Sequence, residues 1–269
     1  MGVIEIFGYL GALLIGLVLG LIGGGGSILT VPILVYVLNI SPVVATAYSL
    51  FVVGTSSLVG AIRNAQKGMV DFRTGIVFAI PALFAVFLTR KYLVPAIPEE
   101  LFSIGDYMVT KDIAIMVFFA IIMLAASYSM IKGRKDNGID EQNHVTFNYP
   151  LIIIEGIVVG VLTGIVGAGG GFLIIPALVL LAKLPMKKAV ATSLMIIAAK
   201  SLIGFLGDLQ NTSIDWSFLL VFTSISIIGI FIGLYLNKFI DGNRLKKGFG
   251  WFVLIMGIYI VLKETIMGN

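Results

Sequence analysis

The stretch "GLIGGGGSILTVP", Gly20 to Pro32, decides how the rest of the chain is read. Four adjacent glycines, Gly23, Gly24, Gly25 and Gly26, interrupt an apolar run. Glycine in a helix interior costs about 1 kcal/mol relative to alanine, so four in a row break a helix. The break needs a reason, and the solvent around it supplies one.

Of the 269 residues, 59% are hydrophobic and 12% charged, with a mean hydropathy of +1.09. That is the composition of a lipid-embedded chain. The stretches 43–62, 74–94, 112–131, 187–207 and 216–236 approach the roughly 20 residues that cross about 30 Å of hydrocarbon. A single membrane domain spanning 1–269 is expected, all-α, with no soluble domain beside it. Met1 to Ile22 lacks a basic region and a small-residue cleavage pattern, so it reads as a retained helix and not a signal peptide. The net charge of +4 is divided among short loops, which excludes nucleic acid as a partner. Without cysteine there is no disulfide framework, thiolate metal site or cysteine nucleophile. The sole histidine, His144, lies in "KGRKDNGIDEQNH" and reads as a solvated bystander. No cofactor is expected.

The glycine run recurs. A shift of 144 residues lays Gly16, Gly20, Gly23, Gly25, Gly26 and Pro32 on Gly160, Gly164, Gly167, Gly169, Gly170 and Pro176. It continues through Ser49-Leu50 on Ser193-Leu194, Ser57-Leu58 on Ser201-Leu202, Gly60 on Gly204 and Gln66 on Gln210. Glycines, prolines and polar residues do not align by apolar bias alone, so the chain reads as a duplicated unit. Repeat one is 1–131, with apolar segments 3–22, 28–38, 43–62, 74–94 and 112–131. Repeat two is 149–269, with segments 149–167, 172–183, 187–207, 216–236 and 245–263. The charged stretch 132–148 is a cytoplasmic linker.

Basic residues orient the repeats. The loop after the third segment carries Arg63, Lys67 and Arg73 in repeat one and none in Gly207 to Asp215. The loop before that segment is uncharged around Asn39 to Pro42 but holds Lys183, Lys187 and Lys188 in repeat two. Together with Lys132, Arg134, Lys135, Lys238, Arg244, Lys246 and Lys247, most basic residues fall on one face, which the positive-inside rule makes cytoplasmic. Arg90, Lys91, Lys111 and Lys263 are then placed outside, with Glu99, Glu100 and Asp106. Two inverted-topology repeats of five segments follow, with both termini extracytoplasmic.

The second segment of each repeat is too short to cross. As helices, 28–38 and 172–182 reach about 16 Å, half the hydrocarbon thickness. The glycine runs therefore belong near mid-membrane, where irregular backbone is tolerated when buried in protein or lining a polar cavity. A glycine turn opening a half-helix leaves amide N–H groups free at the positive end of the helix dipole, and that binds anions. Pro32 and Pro176 suit a first turn or a kink. Close helix packing explains Gly16, Gly20, Gly160 and Gly164 better. No GK[ST] follows the "GAGGG" of repeat two, which removes a nucleotide-binding loop.

Lys200 sits about 10 Å inside its segment, beyond comfortable snorkelling. Its insertion cost of at least about 2.5 kcal/mol calls for a cavity or a partner. Ser193, Lys200 and Gly204 share a helical face, matched by Ser49, Ser56 and Gly60 in repeat one. A cationic site lined by hydroxyls follows; pairing of Lys200 with Asp208 is the competing reading. Glu155 reads as interfacial. Asp71 and Asp215 read as N-caps. Asn64, Gln66 and Gln210 either satisfy loop backbone or face the pathway.

The duplicated glycine turn and proline, "ATSL" at Ala191 to Leu194 with its mate "AYSL" at Ala47 to Leu50, and "GMVDF" at Gly68 to Phe72 resemble the sulfite exporter TauE/SafE family over essentially the whole chain. The resemblance implies a secondary transporter of the prokaryotic plasma membrane for sulfite, organosulfonates or related sulfur-containing anions, coupled to protons. The expected substrate-binding set is Gly23, Gly24, Gly25, Gly26, Ser27, Ser49, Ser56, Ser57, Gly167, Gly169, Gly170, Gly171, Thr192, Ser193, Lys200 and Ser201. Partners are then a small anion and the lipid bilayer, with a homo-oligomer left open. An enzyme would need a midplane cluster of His, Cys, Asp or Glu, which the sequence lacks. The alternative is an anion channel, or a carrier for sulfate or a carboxylate, built on the same amides.

Overall fold

The computed structural model describes residues 3–104, 107–132, 149–180, 182, 184–237, 239 and 242–266. Linker residues 133–148 with His144, and Asp106, Lys183 and Lys238, lie outside the described residues, as do the side chains of Arg244 and Lys246.

The apolar segments form ten helices among the described residues: α1 Val3–Ile22, α2 Ser27–Val37, α3 Pro42–Gln66, α4 Phe72–Ala96, α5 Lys111–Lys132, α6 Tyr149–Val166, α7 Gly171–Leu180, α8 Met186–Asp208, α9 Trp216–Leu236 and α10 Gly242–Ile266. Six contain stretches long and apolar enough to cross a membrane, and α2 and α6 are shorter apolar helices. Their outer surface is apolar, with Phe84 69% and Ile255 63% exposed, as lipid contact requires. The protein is an all-α integral membrane protein that passes the bilayer several times. A small antiparallel hairpin, β1 Glu100–Ile104 and β2 Tyr107–Thr110, occupies the loop between α4 and α5, where hydropathy suggested no element.

Local chemistry sets the helix ends. Asp71 accepts a hydrogen bond from the Thr74 amide at 2.9 Å and Asp215 from Phe218 at 3.1 Å, so both are the expected N-caps. Pro42 opens α3, where its missing N–H costs nothing. Pro32 closes the α-helical part of α2, and Ile33–Val37 continues as a π-helix. A second π-helical turn, Thr89–Leu93, lies inside α4.

Small residues bring the helices together. A Cβ at Gly20 would lie 2.5 Å from the Ile230 carbonyl oxygen, and Gly16 abuts the Ser226 carbonyl, so α1 runs parallel to α9. At the equivalent positions Gly160 abuts the Ala82 carbonyl and Gly164 abuts Thr89, so α6 runs parallel to α4. Gly54 faces Leu202 and Gly204 faces Leu50, which makes α3 and α8 antiparallel. The first segment of one half thus packs on the fourth of the other, and the third segments pack on each other.

Candidate functional site

The two glycine breaks meet inside this frame. Gly23 bends the chain with φ +82°, beside Val190 and Ser193 near the start of α8. Gly167 does so with φ +69°, against Thr46 near the start of α3. Positive φ is readily adopted by glycine and strains other residues. Since α3 and α8 are antiparallel, these bends lie toward opposite ends of the bundle. From there both runs turn to the middle, where the backbones of Gly24 and Gly171 touch and Gly169 packs against Ser27 and Val53. The half-helices α2 and α7 start at that contact. α2 then returns along α1, with Ile33 on Gly11 and Leu38 on Gly8.

The runs are not identical in detail. Gly24–Gly26 form one 3-10 turn, whereas Gly169 and Gly170 both take positive φ. Gly26 backs onto Ile15 and Leu19 of α1. Ser27 donates its hydroxyl to the Gly24 carbonyl at 2.7 Å, and no side chain caps the start of α2.

Lys200 reaches the same place from α8. It is fully buried, its Nζ donates to Thr163 Oγ1 at 2.6 Å, and a Cβ at Gly170 would lie 2.8 Å from that nitrogen. Among the described residues no carboxylate pairs with it. The competing reading, an ion pair with Asp208, is not realised: Asp208 Oδ2 accepts instead from Arg90 Nε at 2.8 Å. A lone ammonium thus faces a glycine backbone where two helix N-termini converge. Helix N-termini and a buried ammonium both interact favourably with negative charge.

The expected hydroxyls differ in their bonding. Ser49, Ser57 and Ser201 are fully buried and their oxygens have no hydrogen-bond partner. Ser193 donates to the Val190 carbonyl at 2.8 Å and stays beside Gly23. Two expected members point elsewhere. Ser56 bonds Ser226 on α9 at 2.9 Å, and Thr192 accepts the Asp71 amide at 2.9 Å. Tyr48, the positional mate of Thr192, accepts the Asp215 amide at 2.7 Å, so this unlike pair performs one anchoring task in both halves.

The sequence profile of the sulfite exporter TauE/SafE family matches residues 9–260. The chain belongs to that family. It is 29% identical over 255 residues to a probable membrane transporter protein of Xylella fastidiosa strain 9a5c, covering 93% of this chain and 92% of the relative. It is 28% identical over 265 residues to the probable membrane transporter protein YunE of Bacillus subtilis strain 168, with the same coverage. A probable membrane transporter protein of Methanocaldococcus jannaschii, MJ0441, is 35% identical over 123 residues, 44% of this chain and 46% of the relative. No solved structure gives a significant match. TauE/SafE proteins are membrane transporters and not enzymes.

Three features of this TauE/SafE chain were not read from sequence. Arg90 was placed with the outer loop charges but is fully buried in the π-turn of α4, its two Nη atoms each 3.1 Å from Thr46 Oγ1. Thr163 has Leu19 as its repeat mate, so duplication gave no signal for it. Thr30 of α2 carries another buried, unpartnered hydroxyl and likewise has an apolar mate, Ile174. Glu155, expected at the interface, is half-buried with Oε2 unpartnered.

Proposed function

We propose that this transporter moves sulfite, organosulfonates or related small sulfur-containing anions out of the cell across the plasma membrane, coupled to protons. The two halves act as inverted repeats of one domain, with both termini extracytoplasmic. The substrate oxygens sit between Lys200 Nζ, the amides opening α2 and α7, and the hydroxyls of Ser49, Ser57 and Ser201. The observation that carries this reading is Lys200, a fully buried cation bonded to a hydroxyl and seated against Gly170. Its charge is uncompensated by protein, and an anion compensates it.

Burial supports alternating access. Ser27, Ser49, Ser57, Ser193, Lys200 and Ser201 are all fully buried, so the cluster is sealed from both ends. Parting Gly24 from Gly171 toward one end at a time would admit the anion from that side alone. A sealed centre favours a carrier over a channel. The test is flux in proteoliposomes with sulfite, taurine, sulfoacetate, sulfate and a carboxylate. Saturable counterflow of a sulfur oxyanion, lost in Lys200→Met, is expected; ohmic current, or unchanged flux in that variant, would overturn the reading.

A further inference from the structure

Resting on that reading, the two ends of the pathway can be compared position by position. At one end Gly167 presses on Thr46, whose hydroxyl takes hydrogen bonds from both Nη atoms of Arg90, while Arg90 Nε is held by Asp208 at 2.8 Å. Arg90 and Thr46 are fully buried and Asp208 is 5% exposed. At the other end the 144-residue shift places Val190, Leu234 and Asn64 at the same positions. Val190 presses on Gly23 as Thr46 presses on Gly167, and Asn64 donates to the Gly60 carbonyl of its own helix. One end carries no charged side chain at these positions. The other is closed by a guanidinium in the grip of a carboxylate.

A plain structural ion pair is an uneconomical plug, because desolvating two charges often cancels their attraction and an apolar pair would seal as well. The opposite end has no charged pair at the matching positions Leu234 and Asn64. The π-turn Thr89–Leu93 is a further sign, since such irregular turns collect at functional sites, and it carries Arg90. A Cβ at Gly207 would lie 3.1 Å from Arg90 Cβ, so α4 and α8 are held close where the pair forms.

We infer that Arg90 is a second anion-binding group, a station between the central site and the Asp208 end, which Asp208 occupies as an internal competitor until a small oxyanion takes its place. Guanidinium matches the oxygens of a sulfonate as it matches a carboxylate, so the exchange preserves the bonding of Arg90. Anion arrival at that end then breaks the Asp208 contact between α8 and α4 and loosens the plug on Gly167.

The experiment measures binding of sulfate, sulfoacetate and ethanesulfonate to the purified full-length protein, and their flux in proteoliposomes. Asp208→Asn removes the competitor and should tighten binding of at least one of them by about tenfold or more. The neutral pair Arg90→Gln/Asp208→Asn, which avoids an isolated buried charge, should fold but carry the anion at least about tenfold more slowly than the wild type. If Asp208→Asn binds none of the three more tightly, or if the double variant transports like the wild type, the proposal is overturned. Adding Lys200→Met separates the two sites: tightening by Asp208→Asn that persists without Lys200 supports the Arg90 station even if the central reading fails.

Discussion

Gly24 and Gly171 touch backbone to backbone, so that a Cβ on either would overlap the Cα of the other. Neither residue has a positive φ, so what excludes a larger side chain is space alone. Alanine at either position should destabilise the protein by about 1–3 kcal/mol, because main chain cannot step aside as a flexible side chain can. Gly68→Ala is the contrast: its φ is +65° with nothing within 4 Å, and only the left-handed backbone, about 1 kcal/mol, is at stake. Thermal unfolding in detergent should rank Gly24→Ala and Gly171→Ala clearly below Gly68→Ala. Equal melting temperatures would mean that the two breaks are not pressed together.

Lys200 offers a case where function and stability part. Thr163 Oγ1 donates to the Val159 carbonyl at 2.7 Å, so it stays bonded when the ammonium is withdrawn. Lys200→Met should therefore melt at or above the wild-type temperature, since a lone buried charge has been replaced by a thioether of similar length. Its transport of sulfur oxyanions should fall at least about tenfold. A loss of stability without a loss of transport would make Lys200 structural.

The serines divide by whether their hydroxyls are already used. Ser57 and Ser201 have buried oxygens without partners, so alanine there should leave the ligand-free protein as stable, or more stable by up to about 1 kcal/mol, while weakening anion binding. Ser56→Ala leaves Ser226 without its partner and should cost about 1 kcal/mol with binding unchanged. Thermal unfolding with and without substrate reads both effects.

The division also shows what the sequence could disclose. Apolar composition and length placed the ten helices among the described residues, because lipid forces backbone bonds to close within each segment. The glycine breaks were legible because four adjacent small residues serve no packing face. Side-chain partners were not. Asp208 lies two turns from Lys200 on one helix, about 12 Å away, and its partner comes from a helix over a hundred residues earlier in the chain. Arg90 looked like a loop charge because hydropathy cannot register the π-turn that buries it. The β1–β2 hairpin escaped because strands of four and five residues carry too little pattern.

The anchors Tyr48 and Thr192 lead to a paired prediction. Each accepts the amide of the N-cap aspartate that opens the fourth helix of the other half. Tyr48→Phe and Thr192→Val should each cost up to about 1 kcal/mol of stability, as a part-buried hydrogen bond between the halves is lost. Substrate preference should not change in either. A shift in the anion ranking of Thr192→Val would return that hydroxyl to the binding site.

Antiparallel α3 and α8 end at Gln66 and Asp208, so the loops that follow them leave the bundle at opposite ends. The chain has no cysteine, which makes single-cysteine variants at Lys67 and Asn211 clean reporters. A membrane-impermeant thiol reagent added to intact cells should label Asn211→Cys and reach Lys67→Cys only after the cells are opened, because the positive-inside rule puts the basic loop 63–73 in the cytoplasm. The inverse labelling would turn the transporter over without changing the relation between its halves. Labelling of both from the outside would be fatal to inverted topology, since two half-helices that begin at one central contact could not then point toward opposite faces of the membrane.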